Sequence, residues 1–430
     1  MEETEKRNQR IRARYWIETA WPLDVAAAMM AGEQSTGTFV RVPGETDELR
    51  ERYAARVEEI RELGTVDAPS LTGSGLPKGH TGPVPRRTAQ VELSWPIENM
   101  GPSLPNLLAT VAGNLFELKP FSGLKLMDVT LPPAFLSVYQ GPQFGVEGTR
   151  RLTGVHGRPL IGTILKPSVG MSPEQTAAQV RMLAEAGIDF IKDDELQADG
   201  PHCPFEARVT AVLRTLEDFA QKTGKRVMYA ANLTGEIDQM LRRHDLVASL
   251  GGTCVMASLN SIGLPAMVVL RRHCQVAIHG HRNGWGMFSR SHATGMSFIA
   301  YQKLWRLAGI DHVHVNGLRN KFCESDESVV ASARECLTPM FPAPYAPCTI
   351  LPVFSSGQSA QQAPGTYRAL GCNDLLYACG GGIMAHPQGP AAGVRSLQQA
   401  WEAAAAGIPL EEYAAKHTEL RAALEKFAAQ

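Results

Sequence analysis

PLIGTILKPSVGMSPEQTAAQVRMLAEAGIDFIKDDE, residues 159–195, decides the fold. Two short apolar runs, PLIGTIL (159–165) and DFIKDD (189–194), enclose an amphipathic stretch, Pro173–Ala186, which reads as strand, helix, strand. The rhythm continues downstream. Further strand candidates are RVMYAANL (226–233), GTCVMAS (252–258), QVAIHGHR (275–282), DHVHVNG (311–317), TILPVFS (349–355) and LLYACGG (375–381). Most are followed by a plausible helix, such as Phe205–Thr223 or Ser297–Ala308. Eight such units in about 230 residues is the arithmetic of a (β/α)8 TIM barrel. A doubly wound open sheet does not require eight units, and no GxGxxG follows the first strand. After Gly389 the chain is Ala-rich and reads as helix to its end.

Upstream there is no such rhythm. Ile11–Glu18 and Arg87–Trp95 alternate like strands, Leu124–Leu131 reads as another, and Thr38–Val42 is rich in β-formers. Pro22–Gly32, Glu45–Leu63 and Ser103–Leu115 read as helices, with Glu45–Leu63 charged and amphipathic. Residues 64–86 are dense in Gly, Pro and Ser and read as a loop. The expectation is an α/β protein: a small α+β domain of ferredoxin-like type over 1–140, then a catalytic barrel with C-terminal helices over 141–430.

The chain has 430 residues, 44% of them hydrophobic and 20% charged, which fits a globular protein and excludes a disordered one. Lys and Arg number 42 against 43 Asp and Glu, so the basic surplus of a nucleic-acid or anionic-membrane binder is absent. No apolar run is long enough for a membrane span, and the start, MEETEKRNQR, lacks the apolar core of a signal peptide. The eight cysteines show no CxxC spacing and read as free thiols in a reducing compartment, so the expected location is the cytoplasm.

Barrel chemistry sits at the C-terminal ends of the strands. There the sequence places Lys166, the run Lys192-Asp193-Asp194-Glu195, Asn232, His279, His281, Arg282, His312, His314, Asn316, Ser355-Ser356-Gly357 and Gly380-Gly381-Gly382. In a strand, residues 192 and 194 share a face and 193 takes the other. Two carboxylates at one mouth suit a hard cation such as Mg2+. A lysine joins such a set only if its neutral amine takes up CO2 as a carbamate, an anionic oxygen donor. The same four letters also fit a solvated acidic turn. Glycine-rich ends on strands seven and eight suit a phosphate, although they also fit tight turns. His281, Arg282 and His314 add charge for a second anionic group.

These segments match a known family in order and spacing. GEQSTGTF (32–39), GNLF (113–116), GPQFGVEG (141–148), GTILKPSVGMSPE (162–174), GIDFIKDDE (187–195), HGHR (279–282), DHVHVNG (311–317), PVFSSG (352–357) and GGGIMAHPQG (380–389) span nearly the whole chain. The chain resembles the large subunit of ribulose-bisphosphate carboxylase/oxygenase (RuBisCO), and more closely the RuBisCO-like proteins of form IV type that lack carboxylation. The resemblance implies a carbamylated Lys192 binding Mg2+ with Asp194 and Glu195. It implies that Lys166 moves a proton at the enolisation step and that His281 is a base. Arg282, His314 and Ser355 match binders of one phosphate end, and Thr38, Gly357, Gly381 and Gly382 binders of the other. Glu33, Thr38 and Asn114 match residues given to a neighbouring subunit's site, implying a homodimer or a higher oligomer. Lys321 matches the lysine on the mobile loop after the sixth barrel strand, which in the carboxylases holds the carboxylate derived from CO2.

The departures from the carboxylases are specific. Ser168 stands where they carry a second lysine, Ile164 where they carry threonine, Phe39 where they carry tryptophan and Trp285 where they carry histidine. LRNKFCES (318–325) has lost the Gly-Lys-Leu-Glu-Gly pattern. These changes count against net carboxylation of ribulose bisphosphate and leave metal-assisted enolisation equipped. The enediolate that arises by proton loss also arises by CO2 loss from a β-keto acid. RuBisCO-like proteins span both reactions. Some enolise or isomerise phosphorylated methylthio-sugars of methionine salvage, and others decarboxylate or hydrolytically cleave 3-oxo-isoapionate 4-phosphate. The retained Lys321 favours a phosphorylated small-molecule substrate with a carboxylate, hence the second group. The intact Lys-x-Asp-Glu set and Lys166 argue against a non-catalytic binder.

Overall fold

A computed structural model of the chain describes residues 9–37, 42–80 and 82–428. The chain folds as two compact units, one of residues 1–140, 284–305 and 340–347, the other of residues 141–283, 306–339 and 348–430. The first unit is therefore not a single stretch. Residues 284–305 leave the barrel region because Thr294–Met296 (β10) pairs in parallel with Phe121–Thr130 (β4).

The first unit is built on a five-stranded sheet. Arg10–Thr19 (β1) lies between β4 and Arg86–Pro96 (β3), Arg56–Val66 (β2) forms the edge beside β3, and the order is β10-β4-β1-β3-β2. Strands β1 to β4 with their two intervening helical segments give the β-α-β-β-α-β chain order of a ferredoxin-like domain. Ile11, Ala13, Tyr15 and Ile17 alternate inward on β1, and Ala89, Val91, Leu93 and Trp95 do so on β3. Ala26 and Met30 of the helix Leu23–Glu33 and Leu104, Leu107 and Val111 of the helix Leu104–Ala112 are buried with them. Tyr15 Oη donates to Val111 O at 2.7 Å, which satisfies the phenol inside this core.

The expected helix over Glu45–Leu63 is a correction. Only Asp47–Tyr53 is helical, capped by the Thr46 hydroxyl, and the chain then turns at Ala54 into β2. Helical periodicity in this charged run loses to pairing with β3. Arg87 grips Glu62 across the two strands at 2.6 Å, and Arg61 donates to Gln90 at 2.6 Å. Charged side chains on an exposed edge also discourage edge-to-edge association. The β-rich reading of Thr38–Val42 falls on residues of which 38–41 lie outside the described ones.

The second unit is a closed parallel barrel. Its strands are Leu160–Ile164 (β5), Phe190–Lys192 (β6), Met228–Asn232 (β7), Cys254–Ser258 (β8), Ala277–His281 (β9), His312–His314 (β11), Leu351–Phe354 (β12) and Leu376–Ala378 (β13). All eight fall inside the apolar runs expected from the sequence. Leu160, Phe190, Met228, Met256, Leu351, Val353 and Leu376 fill the interior. Two buried aspartates brace the N-terminal ends of strands. Asp189 takes Arg158, Lys225 and the Ile161 N–H, and Asp311 takes Arg271 and the N–H groups of Phe144, Gly145 and Ile278. These lie away from the chemistry end and serve stability. The helix Pro173–Glu185 that links β5 to β6 starts at a Ser172/Gln175 capping box. The C-terminal run forms the helices Pro390–Ala406, Leu410–Ala414 and Thr418–Phe427. All eight cysteines are unpaired, and no helix among the described residues is long and apolar enough to cross a membrane.

Candidate functional site

β6 carries Lys192 to the barrel mouth and buries its side chain almost completely. Burial lowers the pKa of this ammonium, outweighing the nearby carboxylates. That favours the neutral amine, the form able to react with CO2. Lys192 Nζ donates to Asp193 O at 2.8 Å and lies 3.4 Å from Glu195 Oε2. Lys166, just past β5, reaches the same place, with its Nζ 2.6 Å from Asp194 Oδ2 and 2.8 Å from Ser168 Oγ. Burial works to raise the Asp194 pKa, yet the hydrogen bond from Lys166 holds it below the usual carboxylate range. Asp194, Glu195 and a buried amine thus form a set that fits a hard divalent cation once that amine is a carbamate.

Of the supports of this cluster, the sequence reading placed Asp193 and Asn232 at strand ends and missed Gln179 and Arg208. Gln179, on the helix after β5, clamps the Lys166 backbone by accepting from its N–H and donating to its carbonyl at 3.2 and 2.7 Å. Asp193 turns away from its neighbours and accepts from Tyr229 Oη at 2.6 Å, from Asn232 N at 2.9 Å and from Arg208. Asn232 Nδ2 donates to the carbonyls of Asp194 and Glu195 at 3.2 and 3.3 Å, fixing the turn that carries both carboxylates. The available signal was a charged residue, Arg208, on the apolar face of the helix Phe205–Thr223.

Across the mouth, β9, β11 and β12 contribute a chain of polar rings. His279 Nε2 meets His314 Nε2 at 2.8 Å, and His314 Nδ1 meets Ser355 Oγ at 2.8 Å. His281 Nε2 lies 3.4 Å from Glu195 Oε2. Burial lowers the pKa of His281 to about 4, and burial holds His314 well below its usual value. The sequence reading gave both rings a charge for an anion. Burial favours their neutral forms, which offer ring nitrogens, and Arg282 is a cation at this end. Its Nη2 is 2.6 Å from Glu324 Oε2 on the loop after β11.

The glycine-rich ends of β12 and β13 differ in how much room they leave, with Gly382 tightly packed and Gly381 open. A Cβ on Gly382 would fall 2.6 Å from Gln358 O, so a side chain there would displace backbone. Gly357 has φ +87°, a left-handed conformation suited to glycine, and a Cβ there would lie 3.8 Å from Lys321 Cβ. Gly381 opens the short helix Gly381–Met384 and is exposed, as is Lys321. A Cβ on Gly380 would come within 3.9 Å of Lys166 Cε, so this end borders the lysine. The barrel unit therefore brings Lys166, Lys192, Asp194, Glu195, His281, Arg282, His314, Lys321, Ser355, Gly357, Gly381 and Gly382 to its strand ends. Glu33 ends a helix and Asn114 opens a 3-10 turn, both exposed in the first unit, whereas Thr38 lies outside the described residues.

Among the described residues, His244, Asp245 and His273 also have the spacing of a metal cluster. His244 Nε2 accepts the Gln275 N–H at 3.1 Å, so the proton of the neutral ring sits on Nδ1 and points to Asp245 at 3.0 Å. The ring thus lacks the lone pair a metal would need.

A closed parallel barrel with lysines and carboxylates at its strand ends, preceded in the chain by a ferredoxin-like domain, defines an enzyme of the (β/α)8-barrel class. The ribulose bisphosphate carboxylase large chain, catalytic domain family matches residues 145–427, and the corresponding N-terminal domain family matches residues 3–135. The chain belongs to the RuBisCO large-chain family and is a RuBisCO-like enzyme. It is 54% identical over 97% of its length, and 99% of the relative's, to a 3-oxo-isoapionate-4-phosphate transcarboxylase/hydrolase of Xanthobacter autotrophicus. It is 47% identical over 96% of its length, and 97% of the relative's, to a 3-oxo-isoapionate-4-phosphate decarboxylase of Rhizobium rhizogenes. The crystal structure of a rubisco-like protein from Burkholderia fungorum superposes with a TM-score of 0.89 at 46% identity, covering 97% of this chain and 99% of that one.

Proposed function

We propose that the enzyme cleaves the bond between the carboxylate carbon and the α-carbon of a β-keto acid phosphate, with 3-oxo-isoapionate 4-phosphate as substrate. The observation that carries this is the convergence of Lys166 and the buried Lys192 on Asp194 and Glu195. The names of the two curated relatives supply the substrate class. Lys192 as its carbamate, Asp194 and Glu195 would hold Mg2+, which when bound would polarise the keto oxygen. Gly357, Gly381 and Gly382 receive the phosphate on backbone N–H groups. Lys321 pairs with the substrate carboxylate until that group departs. Arg282, His314 and Ser355 hold the far end, with His281 as a neutral base beside Glu195. The bond to the carboxylate carbon breaks, its electron pair enters the enediolate, and Lys166 Nζ returns a proton to carbon.

The reading extends to assembly and location. The enzyme works as a homodimer in the cytoplasm, with Glu33, Thr38 and Asn114 completing the neighbouring subunit's site. Support for the dimer is the family pattern at those positions, and for the location the eight unpaired thiols.

Purified enzyme with MgCl2 and bicarbonate is given 3-oxo-isoapionate 4-phosphate, and CO2 or bicarbonate release is followed with the phosphorylated product. Substrate consumption with release of the carboxyl carbon is expected. Proton exchange or isomerisation of a methylthio-sugar phosphate, with no consumption of the keto acid, would overturn the reading. Mixing inactive Lys192→Ala with inactive Asn114→Ala is expected to restore activity through hybrid dimers. No recovery after confirmed subunit exchange would remove the shared-site part.

A further inference from the structure

The Arg282 end of the site already contains an anion of its own. Glu324 Oε2 accepts from Arg282 Nη2 and from Asn316 Nδ2, each at 2.6 Å, and Glu324 Oε1 accepts from Ser328 Oγ at 2.9 Å. The Arg282 and Glu324 side chains are only 6% and 13% exposed, so water screens this pair weakly. Asn316 is held in place from the other side, where its Oδ1 accepts from Ser356 Oγ at 2.9 Å. Its backbone is left-handed, with φ +66°. The loop is pinned as well, because Asn320 Nδ2 donates to the carbonyls of Gly317 and Glu324 at 3.0 and 3.2 Å. Glu324 therefore sits in a prepared seat. The other groups at this end, His314 and Ser355, are hydrogen-bonded to each other and bring no net charge.

We infer that Glu324 is a specificity-determining residue: it neutralises Arg282 from within, so this end of the site takes a neutral or hydroxylated group and rejects a second phosphate. The substrate then carries a single phosphate, bound at the glycine loops after β12 and β13. The inference rests on the proposed placement of that phosphate and deepens it. A phosphate dianion at the Arg282 end would meet a carboxylate already using the guanidinium, and like charges side by side in a weakly screened site repel. Without that charge, Arg282 could give a phosphate the charge-assisted contacts it now gives Glu324.

The test reads binding alone. Dissociation constants of ribitol 5-phosphate and ribitol 1,5-bisphosphate are measured by calorimetry, with MgCl2 and bicarbonate present, for the parent enzyme and for Glu324→Gln. The parent is expected to bind the bisphosphate no tighter than the monophosphate. Glu324→Gln is expected to bind the bisphosphate about ten- to a hundredfold tighter, the usual worth of a charge-assisted contact, and the monophosphate within about threefold of the parent. Should Glu324→Gln fail to fold, Glu324→Asp draws the carboxylate back from Arg282 and is expected to gain in the same direction. Ser328→Ala, which keeps the charge, is expected to leave the preference unchanged. A parent enzyme that binds the bisphosphate tenfold tighter than the monophosphate would overturn the inference. So would a Glu324 variant whose preference does not move. Because no turnover is read, failure of the proposed reaction with 3-oxo-isoapionate 4-phosphate shows separately.

Discussion

Arg208 Nη2 lies 3.2 Å from Asp193 Oδ2, and neither side chain is reached by solvent. The pair sits directly behind the two carboxylates that flank the buried lysine. Burial works against the guanidinium's charge, but the Asp193 carboxylate raises the Arg208 pKa further, so the cation persists. Removing one partner strands the other. Asp193→Asn is expected to cost about 3–5 kcal/mol, read as a lower urea midpoint. Adding Arg208→Met to it is expected to recover part of that loss. Equal destabilisation in the single and double variants would show that the pair is not the cause.

Lys192 is held for chemistry at the expense of stability. Its side chain is 1% exposed and burial disfavours its charge. Lys192→Met fills the same space without an amine. In metal-free buffer its thermal midpoint is expected to equal or exceed the parent's. Its kcat/KM is expected to fall about a thousandfold or more, matching the several kcal/mol that a lost metal site represents. A variant that retains Mg2+ binding and bicarbonate-stimulated turnover would remove Lys192 from the ligand set.

Lys321 discriminates between substrate classes. Lys321→Met keeps length and removes charge. For a β-keto acid phosphate the loss in kcat/KM is expected to be about ten- to a hundredfold, corresponding to about 1.5–3 kcal/mol for a charge-assisted contact. For a phosphorylated sugar without a carboxylate it should be slight. Equal losses on both would assign Lys321 to the phosphate.

The buried rings set an acid limit. Burial lowers the pKa of His312 to about 3 and takes His279 and His314 well below the usual value. In the unfolded chain these rings titrate near about 6.5. Below that pH the unfolded state binds protons the folded state refuses, so stability is full above about 6.5 and falls as pH drops. Each ring contributes up to about 1.4 kcal/mol per pH unit. Urea unfolding at pH 7.5, 6.5, 5.5 and 5.0 is expected to show a plateau and then a decline. A flat profile to pH 5.0 would contradict the buried neutral rings.

The barrel was legible because its strands are apolar runs at regular spacing and its polar residues gather where the runs end. The ends of the apolar runs put Lys166, Lys192, Asp194 and Glu195 near one mouth, while their reading as a set came from the family resemblance, since the same run also fits a solvated turn. β2 was not legible, since its charged sequence has helical periodicity and becomes a strand only by pairing with β3. Gln179 carries no local mark of its work, and the roles of Asp193, Asn232 and Arg208 show only through partners 15 to 39 residues away. Glu324 was hidden for another reason. It lies in a loop where the sequence showed only a lost pattern, and its meaning comes from Arg282, 42 residues earlier.

The parallel pairing of β10 with β4 has a consequence for how the polypeptide is made. Strand β4 ends at Thr130 and β10 begins at Thr294, so the sheet's last member leaves the ribosome 294 − 130 = 164 residues after its neighbour. Until then the outer backbone groups of Leu124–Leu126 are an unsealed edge on a nascent chain, open to pairing with another copy. A fragment stopped at residue 140 keeps that edge bare permanently. Cutting this chain at its first apparent boundary would yield an association-prone piece, and a soluble first unit needs residues 284–305 restored through a linker or co-expression.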